Sequence, residues 1–497
     1  MMLREKKSRL VRWLNFLKTM NKKSFYITTT LPYVNAEPHV GFAMELVRAD
    51  VIARAKKIYG YEVFFNTGTD EHGTKIERNA QIQGMSAKDF VDSLYTSFKN
   101  LIPLMNISPD VHFIRTTDDN HINAAKEFWT ICKNKNLLYK KNYKIKYCIG
   151  CELEKTESEL EDGKCSIHTS LNIEEIDEEN YFFKFSQFQK PLLDLYSKNP
   201  DFVVPNFRFN EIKSFVERGL EDFSVSRQKS KMSWGVEVPG DPDHVMYVWF
   251  DALVSYISTL GWPENKESFD KWWIKTGGAV QYCGKDNLRQ QSAMWQAMLM
   301  AVGIQSSKQI IINGFITGDG GIKMSKTLGN TINPQSVIRE YGADAFRYYV
   351  LRELHPFEDS PFTMEKFKNA YNAHLANGLG NLVSRVIKMA ETNNVVLDKI
   401  PEIDTKKYEN MYKSYEINKV CDDIWSRIQL ADKYIQENQP FKTIKTDEKR
   451  GREQILYLLK ELSYIGILLE SIMPETSTKI AKAIKENKIN EPLFMRM

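Results

Sequence analysis

Two stretches far apart in the chain carry residue types suited to a polyphosphate: Pro38-His39-Val40-Gly41 near the start and Lys323-Met324-Ser325-Lys326-Thr327 two-thirds along. An imidazole can donate a hydrogen bond to a phosphate oxygen, and the glycine beside it lets a nucleotide approach the backbone closely. Lys323 and Lys326 carry ammonium groups that can close over a polyphosphate and neutralise charge growing on departing pyrophosphate. Each stretch alone has a plain alternative: a βα loop with a structural histidine, or a solvated basic turn beside Gly318, Gly320 and Gly321. Together they suggest one ATP site.

A second group is metal-binding in character. Cys148-Ile149-Gly150-Cys151 and Cys165-Ser166-Ile167-His168 form two chelating pairs. Three thiolates and one imidazole at that spacing can converge on a single tetrahedral zinc, closed and therefore structural. Cys132, Cys283 and Cys421 are dispersed and read as core thiols. Asp70 follows a β-type run at residues 63–66, where a carboxylate can pair with an ammonium group or cap a helix. Residues 68–75 look superficially like a phosphate loop, but Gly73 is followed by Thr74 and then Lys75, the wrong order. Trp249, Ala252, Leu253 and Tyr256 can share one helical face, and Trp295 lies on a further amphipathic segment; such a stripe is usually core. Asn377, Asn381 and Arg385 recur at four-residue steps, giving a polar helical face that either reads unpaired bases or is simply solvated.

These groups need rigid elements behind them. The run Phe25-Tyr26-Ile27-Thr28-Thr29-Thr30 is β-branched and aromatic and predicts a strand. Residues 40–55 have apolar positions at helical spacing, so His39 and Gly41 fall at a strand-to-helix turn, where unpaired N–H groups and the helix dipole attract phosphate. A further β-type run at 309–312 leads into the glycine-rich loop before Lys323. This alternation predicts an α/β, doubly wound parallel-sheet (Rossmann-type) catalytic domain. The C-terminal region, rich in Lys, Glu, Leu and Ile, predicts a helical bundle. At 497 residues the chain is long for one core, so several domains are expected. A net charge of +4 is too modest to establish nucleic-acid binding. No apolar run reaches the ~18 residues of a membrane span, and six cysteines in so long a chain fit a reducing compartment rather than a disulfide scaffold.

Six blocks occur in order: Leu31-Pro32-Tyr33-Val34-Asn35, His39-Val40-Gly41-Phe42, Thr69-Asp70-Glu71-His72-Gly73, Trp249-Phe250-Asp251-Ala252, Gly284-Lys285-Asp286, and Lys323-Met324-Ser325-Lys326-Thr327-Leu328-Gly329-Asn330. Through them the chain resembles the methionyl branch of the class I aminoacyl-tRNA synthetases, from about Lys23 onward. The resemblance implies ATP-dependent activation of L-methionine, transfer to tRNA(Met), and Mg2+ accompanying ATP. It implies that His39, Lys323 and Lys326 contact the phosphates, with Gly41 at the nucleotide. It places Gly284 and Asp286 at the adenosine end and Arg227 at the reacting carboxylate or phosphate. Asp70 would hold the methionine amino group, Leu31, Tyr33, Trp249, Ala252, Leu253, Tyr256 and Trp295 would line the side-chain pocket, and Gln291 would face the amino acid. Asn377, Asn381 and Arg385 would read the CAU anticodon, with Phe441 of Pro440-Phe441 stacking less strongly than an indole. The implied organisation is a first catalytic half at 24–114, a connective insertion with one zinc knuckle at 115–245, a second catalytic half at 246–316, a stem-contact module at 317–372 and an anticodon-binding bundle at 373–497. That insertion is too short for a large editing domain.

Residues 1–23 hold eight Lys or Arg against one acid, Glu5. They are expected to be an extension without catalytic role; an organellar targeting helix, a basic RNA arm and a start at Met20 are the alternatives. Otherwise a cytoplasmic monomer is expected, because longer relatives carry a dimerising tRNA-binding module beyond this point. Three positions depart from the family pattern: Phe42, Gln291 and Asn313 stand where histidines are usual. They motivate a non-catalytic tRNA-binding reading, against which His39, Lys323 and Lys326 argue. Another class I synthetase, of leucyl or cysteinyl type, would need a different pocket.

Overall fold

The computed structural model describes residues 23–150, 153–155, 160–166, 169, 171–322, 324, 331–401 and 404–497. The expected strand is Ser24–Thr29 (β1), buried along nearly its whole length, as a central strand covered on both faces must be. Helix Val40–Ile58 (α1) follows, then Glu62–Thr69 (β2), which pairs with β1 in parallel. His112–Arg115 (β3) extends that side of the sheet, and helix Asp119–Asn134 (α2) leads away from it. Later in the chain come Val203–Val204 (β4), Val280–Gly284 (β5) and Gln309–Asn313 (β6). The sheet order is β3-β2-β1-β5-β6-β4, and every pairing is parallel. Strand order reverses between β1 and β5, so the crevice beyond their carboxyl ends is where such a sheet takes a ligand.

The stretch between β3 and β5 also builds an antiparallel sheet around a long hairpin of Leu138–Cys148 with Glu174–Phe183. A smaller sheet of Ser226–Gln228, Asp241–Met246 and Glu237–Val238 lies next in sequence. The same stretch lends β4 to the edge of the main sheet.

The C-terminal region is helical, with Asn381–Thr392, Ile417–Asn438, Glu448–Leu468 and Pro474–Glu486 burying apolar stripes such as Ile424, Ile428 and Ile435 against Leu458, Leu462 and Ile465. One apolar cluster runs from β1 and α1 into these helices. Arg347, fully buried, ties them further: it pairs with Asp50 of α1 at 2.8 Å and donates to the carbonyls of Ile472 (2.7 Å) and Ser471 (3.0 Å). Burial alone would raise the Asp50 carboxyl, but Arg347, Arg54 and Ser108 hold it below the usual carboxylate range. Among the described residues no helix is long and apolar enough to cross a membrane.

Candidate active site

The chain leaving β1 and the chain leaving β2 are stitched together at the crevice. Val34 donates its N–H to the Asp70 carbonyl (2.9 Å), and Asp70 donates to the Pro32 carbonyl (2.9 Å). Tyr33 and Asp70 thereby form a parallel bridge, which brings the Leu31–Tyr33 stretch and a largely buried Asp70 to one place.

His39 is the N-cap of α1: its Nδ1 accepts the Gly41 N–H at 3.0 Å. A neutral imidazole accepting at Nδ1 carries its proton on Nε2, so an exposed ring at a helix N-terminus presents a donor. Gly41 is required by that geometry, because a Cβ there would lie 2.9 Å from both Nδ1 and Cε1 of His39. Across the crevice Gly284 closes β5, and a Cβ on it would meet Asp286 Oδ1 at 2.5 Å.

One turn into α1, Glu45 accepts from the Thr30 N–H at 2.8 Å. Burial pushes its carboxyl up to about 8; the Thr30 and Asn313 hydrogen bonds oppose this and the Asp286 charge adds to it. Arg48, nearly fully buried on the same helix, donates to Asn313 Oδ1 (3.0 Å) and to the carbonyls of His355 (3.0 Å) and Pro356 (2.9 Å). These charged groups were not singled out in the sequence; their signal was three charges, Glu45, Arg48 and Asp50, all buried in the first part of the helix, ahead of Arg54, Lys56 and Lys57.

Most of the expected pocket residues fall in two apolar clusters. Leu31, Leu253, Tyr256 and Trp295 belong to one, while Tyr33 and Trp249 pack with Tyr147, Tyr247 and Val248 in the other. Trp249 and Ala252 lie on helix Val248–Ala252 (α3), followed by Ser255–Ser258, and residues 253 and 254 between them keep helical dihedrals. Trp295 is fully buried against Phe128 and Tyr256. The segment before it is a π-helical stretch, Gln290–Met294.

The three departures have structural partners. Phe42 is buried edge-on against Phe98, a position that an imidazole would occupy only by burying its polar nitrogens. Gln291 donates to the Tyr256 hydroxyl (2.6 Å) and accepts from Gln281 (2.9 Å). Asn313 receives Arg48. Arg227, nearly buried, donates to Ser224 Oγ (2.7 Å), lies 3.7 Å from Glu178 and stacks over the Tyr247 ring at 4.2 Å. Ser224, Glu178 and Tyr247 are thus among its partners, and Tyr247 belongs to the cluster on which Tyr33 and Trp249 pack.

Within the Thr69–Gly73 block the resemblance assigns a role to Asp70 alone. Its neighbour Glu71, fully buried, receives Arg115 at 2.8 Å through two nitrogens and Thr117 at 2.6 Å, and His72 meets Asp251. Both pairs join segments distant in sequence.

Far from the crevice, Asn377 and Asn381 line a shallow groove with Pro492 and Phe494. Arg385 pairs with Asp432 at 2.5 Å, and Phe441 is 43% exposed. Cys148, at the end of its strand, and Cys165 are both buried. The other expected zinc ligands, Cys151 and His168, and the expected phosphate contacts Lys323 and Lys326 lie outside the described residues.

The family profile described as tRNA synthetases class I (M) matches residues 25–158 and 150–387, and that of the anticodon binding domain of methionyl tRNA ligase matches 385–494. A methionine--tRNA ligase of Caldanaerobacter subterraneus subsp. tengcongensis is 41% identical over 92% of this chain and 73% of its own length. That of Thermosynechococcus vestitus is 39% identical over 92% and 89%. A structure of Mycobacterium tuberculosis methionyl-tRNA synthetase in complex with methionyl-adenylate superposes with a TM-score of 0.87 at 34% identity, covering 92% of this chain and 93% of that one. With these matches over nearly the whole chain, on a parallel sheet with the His39 helix start and the Asp70 bridge described above, the chain belongs to the methionyl-tRNA synthetases of class I.

Proposed function

We propose that this chain joins L-methionine to the 3′ end of tRNA(Met) in two steps. The methionine carboxylate attacks the α-phosphorus of ATP, the bond to the β-phosphate oxygen breaks, and pyrophosphate leaves methionyl-adenylate behind. A terminal ribose hydroxyl of the tRNA then attacks the activated carbonyl, AMP departs, and the hydroxyl proton is released. The observation that carries this reading is that the chain leaving β1 towards the His39 helix start is bridged at Tyr33 to Asp70, at the end of the neighbouring parallel strand β2, with Tyr33 and Trp249 packed on one aromatic cluster.

No protein nucleophile is required; positioning and charge stabilisation are the means. His39 donates to phosphate oxygens, Gly41 and Gly284 allow close approach, and Asp286 meets the adenosine end. Lys323 and Lys326 balance charge on departing pyrophosphate, and Mg2+ arriving with ATP supplies further neutralisation. Asp70 pairs with the methionine ammonium, while Leu31, Tyr33, Trp249, Ala252, Leu253, Tyr256 and Trp295 surround the thioether, whose sulfur gains ~0.3–1.5 kcal/mol from aromatic neighbours. Gln291 orients the Tyr256 hydroxyl, and Arg227 steadies Tyr247 beside the reacting carboxylate. Asn377, Asn381, Arg385 and Phe441 read the anticodon.

A structural zinc held by Cys148, Cys151, Cys165 and His168 fits the donor set, and the two ligands within the described residues are buried thiols suited to thiolate coordination. Such an ion would pin the knuckle of the 115–245 insertion. A reducing compartment, the cytoplasm, suits thiols of this kind.

The test is ATP–pyrophosphate exchange with a panel of amino acids, followed by charging of a CAU-anticodon tRNA. Exchange should require methionine and vanish in Lys326→Ala. Exchange driven equally by leucine or cysteine, or none at all from folded protein, would refute the reading.

A further inference from the structure

Asp251 is fully buried, and both its oxygens are taken by histidines. His72 Nδ1 lies 2.7 Å from Oδ2 and His121 Nε2 lies 2.9 Å from Oδ1. The other ring nitrogen of His121 meets Ser258 Oγ at 2.9 Å. His72 and His121 are themselves no more than 6% exposed as side chains, so solvent does not compete for these bonds. Burial would raise the Asp251 carboxyl, but the two imidazoles hold it well below the usual range, and it is an ionised acceptor.

The three residues come from three elements. His72 is two residues beyond Asp70 on the loop after β2. Asp251 sits in α3 between Trp249 and Ala252, and His121 lies in the first turn of α2. The loop is also held from its other side, since Trp234 donates Nε1–H to the Glu71 carbonyl (2.5 Å) and packs edge-on to His72. A charged, dry pair of hydrogen bonds fixes distance and orientation better than apolar packing does.

Resting on the methionine reading of this crevice, we infer that the His72–Asp251–His121 chain is a positioning clamp that sets the distance between the ammonium-binding Asp70 loop and the thioether-facing helix α3. The three side chains act through Asp70, Trp249 and Ala252, and they determine methionine affinity rather than ATP affinity.

Steady-state exchange kinetics on the full chain, with methionine and ATP varied separately, test this. His72→Ala should raise the methionine KM about tenfold or more, since small misplacements of binding groups are costly, while the ATP KM stays within about twofold. His72→Asn keeps a donor nitrogen near the place of Nδ1 and should return the methionine KM to within about threefold of wild type. Asp251→Asn, the same shape with one acceptor, should behave like His72→Ala and serves if the alanine variant does not fold. A folded His72→Ala or Asp251→Asn with unchanged methionine KM overturns the clamp, as does a parallel rise for both substrates or a failure of His72→Asn to rescue. Wild-type protein without methionine-dependent exchange overturns the activity reading and the clamp together, whereas active wild type with unmoved KM overturns the clamp alone.

Discussion

Gly41→Ala separates stability from catalysis at the proposed nucleotide site. The added methyl lies 2.9 Å from His39 Nδ1 and Cε1, so the ring must swing away and the 3.0 Å bond from the Gly41 N–H is lost. That neutral hydrogen bond is worth ~0.5–1.5 kcal/mol. Gly41 is not among the residues with positive φ, so alanine fits its helical backbone and recovers ~1 kcal/mol of helix propensity. The two effects nearly cancel, and the thermal midpoint should stay within a degree or two of wild type, roughly what a residue-sized ΔΔG gives in a chain this large. Catalysis has no such compensation. A preorganised donor to developing charge contributes ~2.7–4 kcal/mol, so His39→Ala should lower kcat/KM in pyrophosphate exchange about 10²–10³-fold. Gly41→Ala should lose a large part of that, about 10- to 100-fold. In the double variant the two losses should not add, because both remove the same ring from the same place. Gly41→Ala with wild-type exchange beside a crippled His39→Ala would show that the Gly41 bond does not set the ring's working position. A His39→Ala variant within about threefold of wild type would refute the phosphate contact itself.

Three further outcomes follow from named groups. Glu45 has its carboxyl raised from the ordinary 4.5 to about 8, so between those values the folded chain holds a proton that the unfolded chain has released, and stability is lost as pH rises through about 8; the thermal midpoint of wild type relative to Glu45→Gln should therefore fall from pH 5 to pH 8.5, and a flat difference would contradict it. Metal analysis should find one zinc per chain, lost in Cys148→Ser, while a zinc-free, fully folded wild type would remove the knuckle. Asn381→Ala and Phe441→Ala should each reduce kcat/KM for tRNA charging by about 5- to 150-fold, the ~1–3 kcal/mol of a base contact or stacking partner, without changing methionine-dependent exchange; equal losses in both assays would place these residues outside the tRNA face.

The sequence by itself determined the parts whose signal is local. The β-branched run at β1, the helical spacing after His39 and the turn residues between them specify a strand, a loop and a helix start, because propensity and periodicity act over a few residues. The spacing of Trp249, Ala252, Leu253 and Tyr256 reads as helical, and two short helical pieces with helical dihedrals between them carry these four residues. Ordered blocks then identified the family, which the matching profiles bear out. Only the tertiary structure decided which distant group each side chain meets. His72 and Asp251 are 179 residues apart, and Arg48 and Asn313 are 265 apart. Spacing fixes where a side chain points from its own element, not which other element packs there. Likewise Glu45 reads in sequence as an ordinary carboxylate; its neutral form is favoured only because folding buries it, against the opposing hydrogen bonds from Thr30 and Asn313. The same holds for Phe42, which reads as a missing phosphate donor until the core places Phe98 against it.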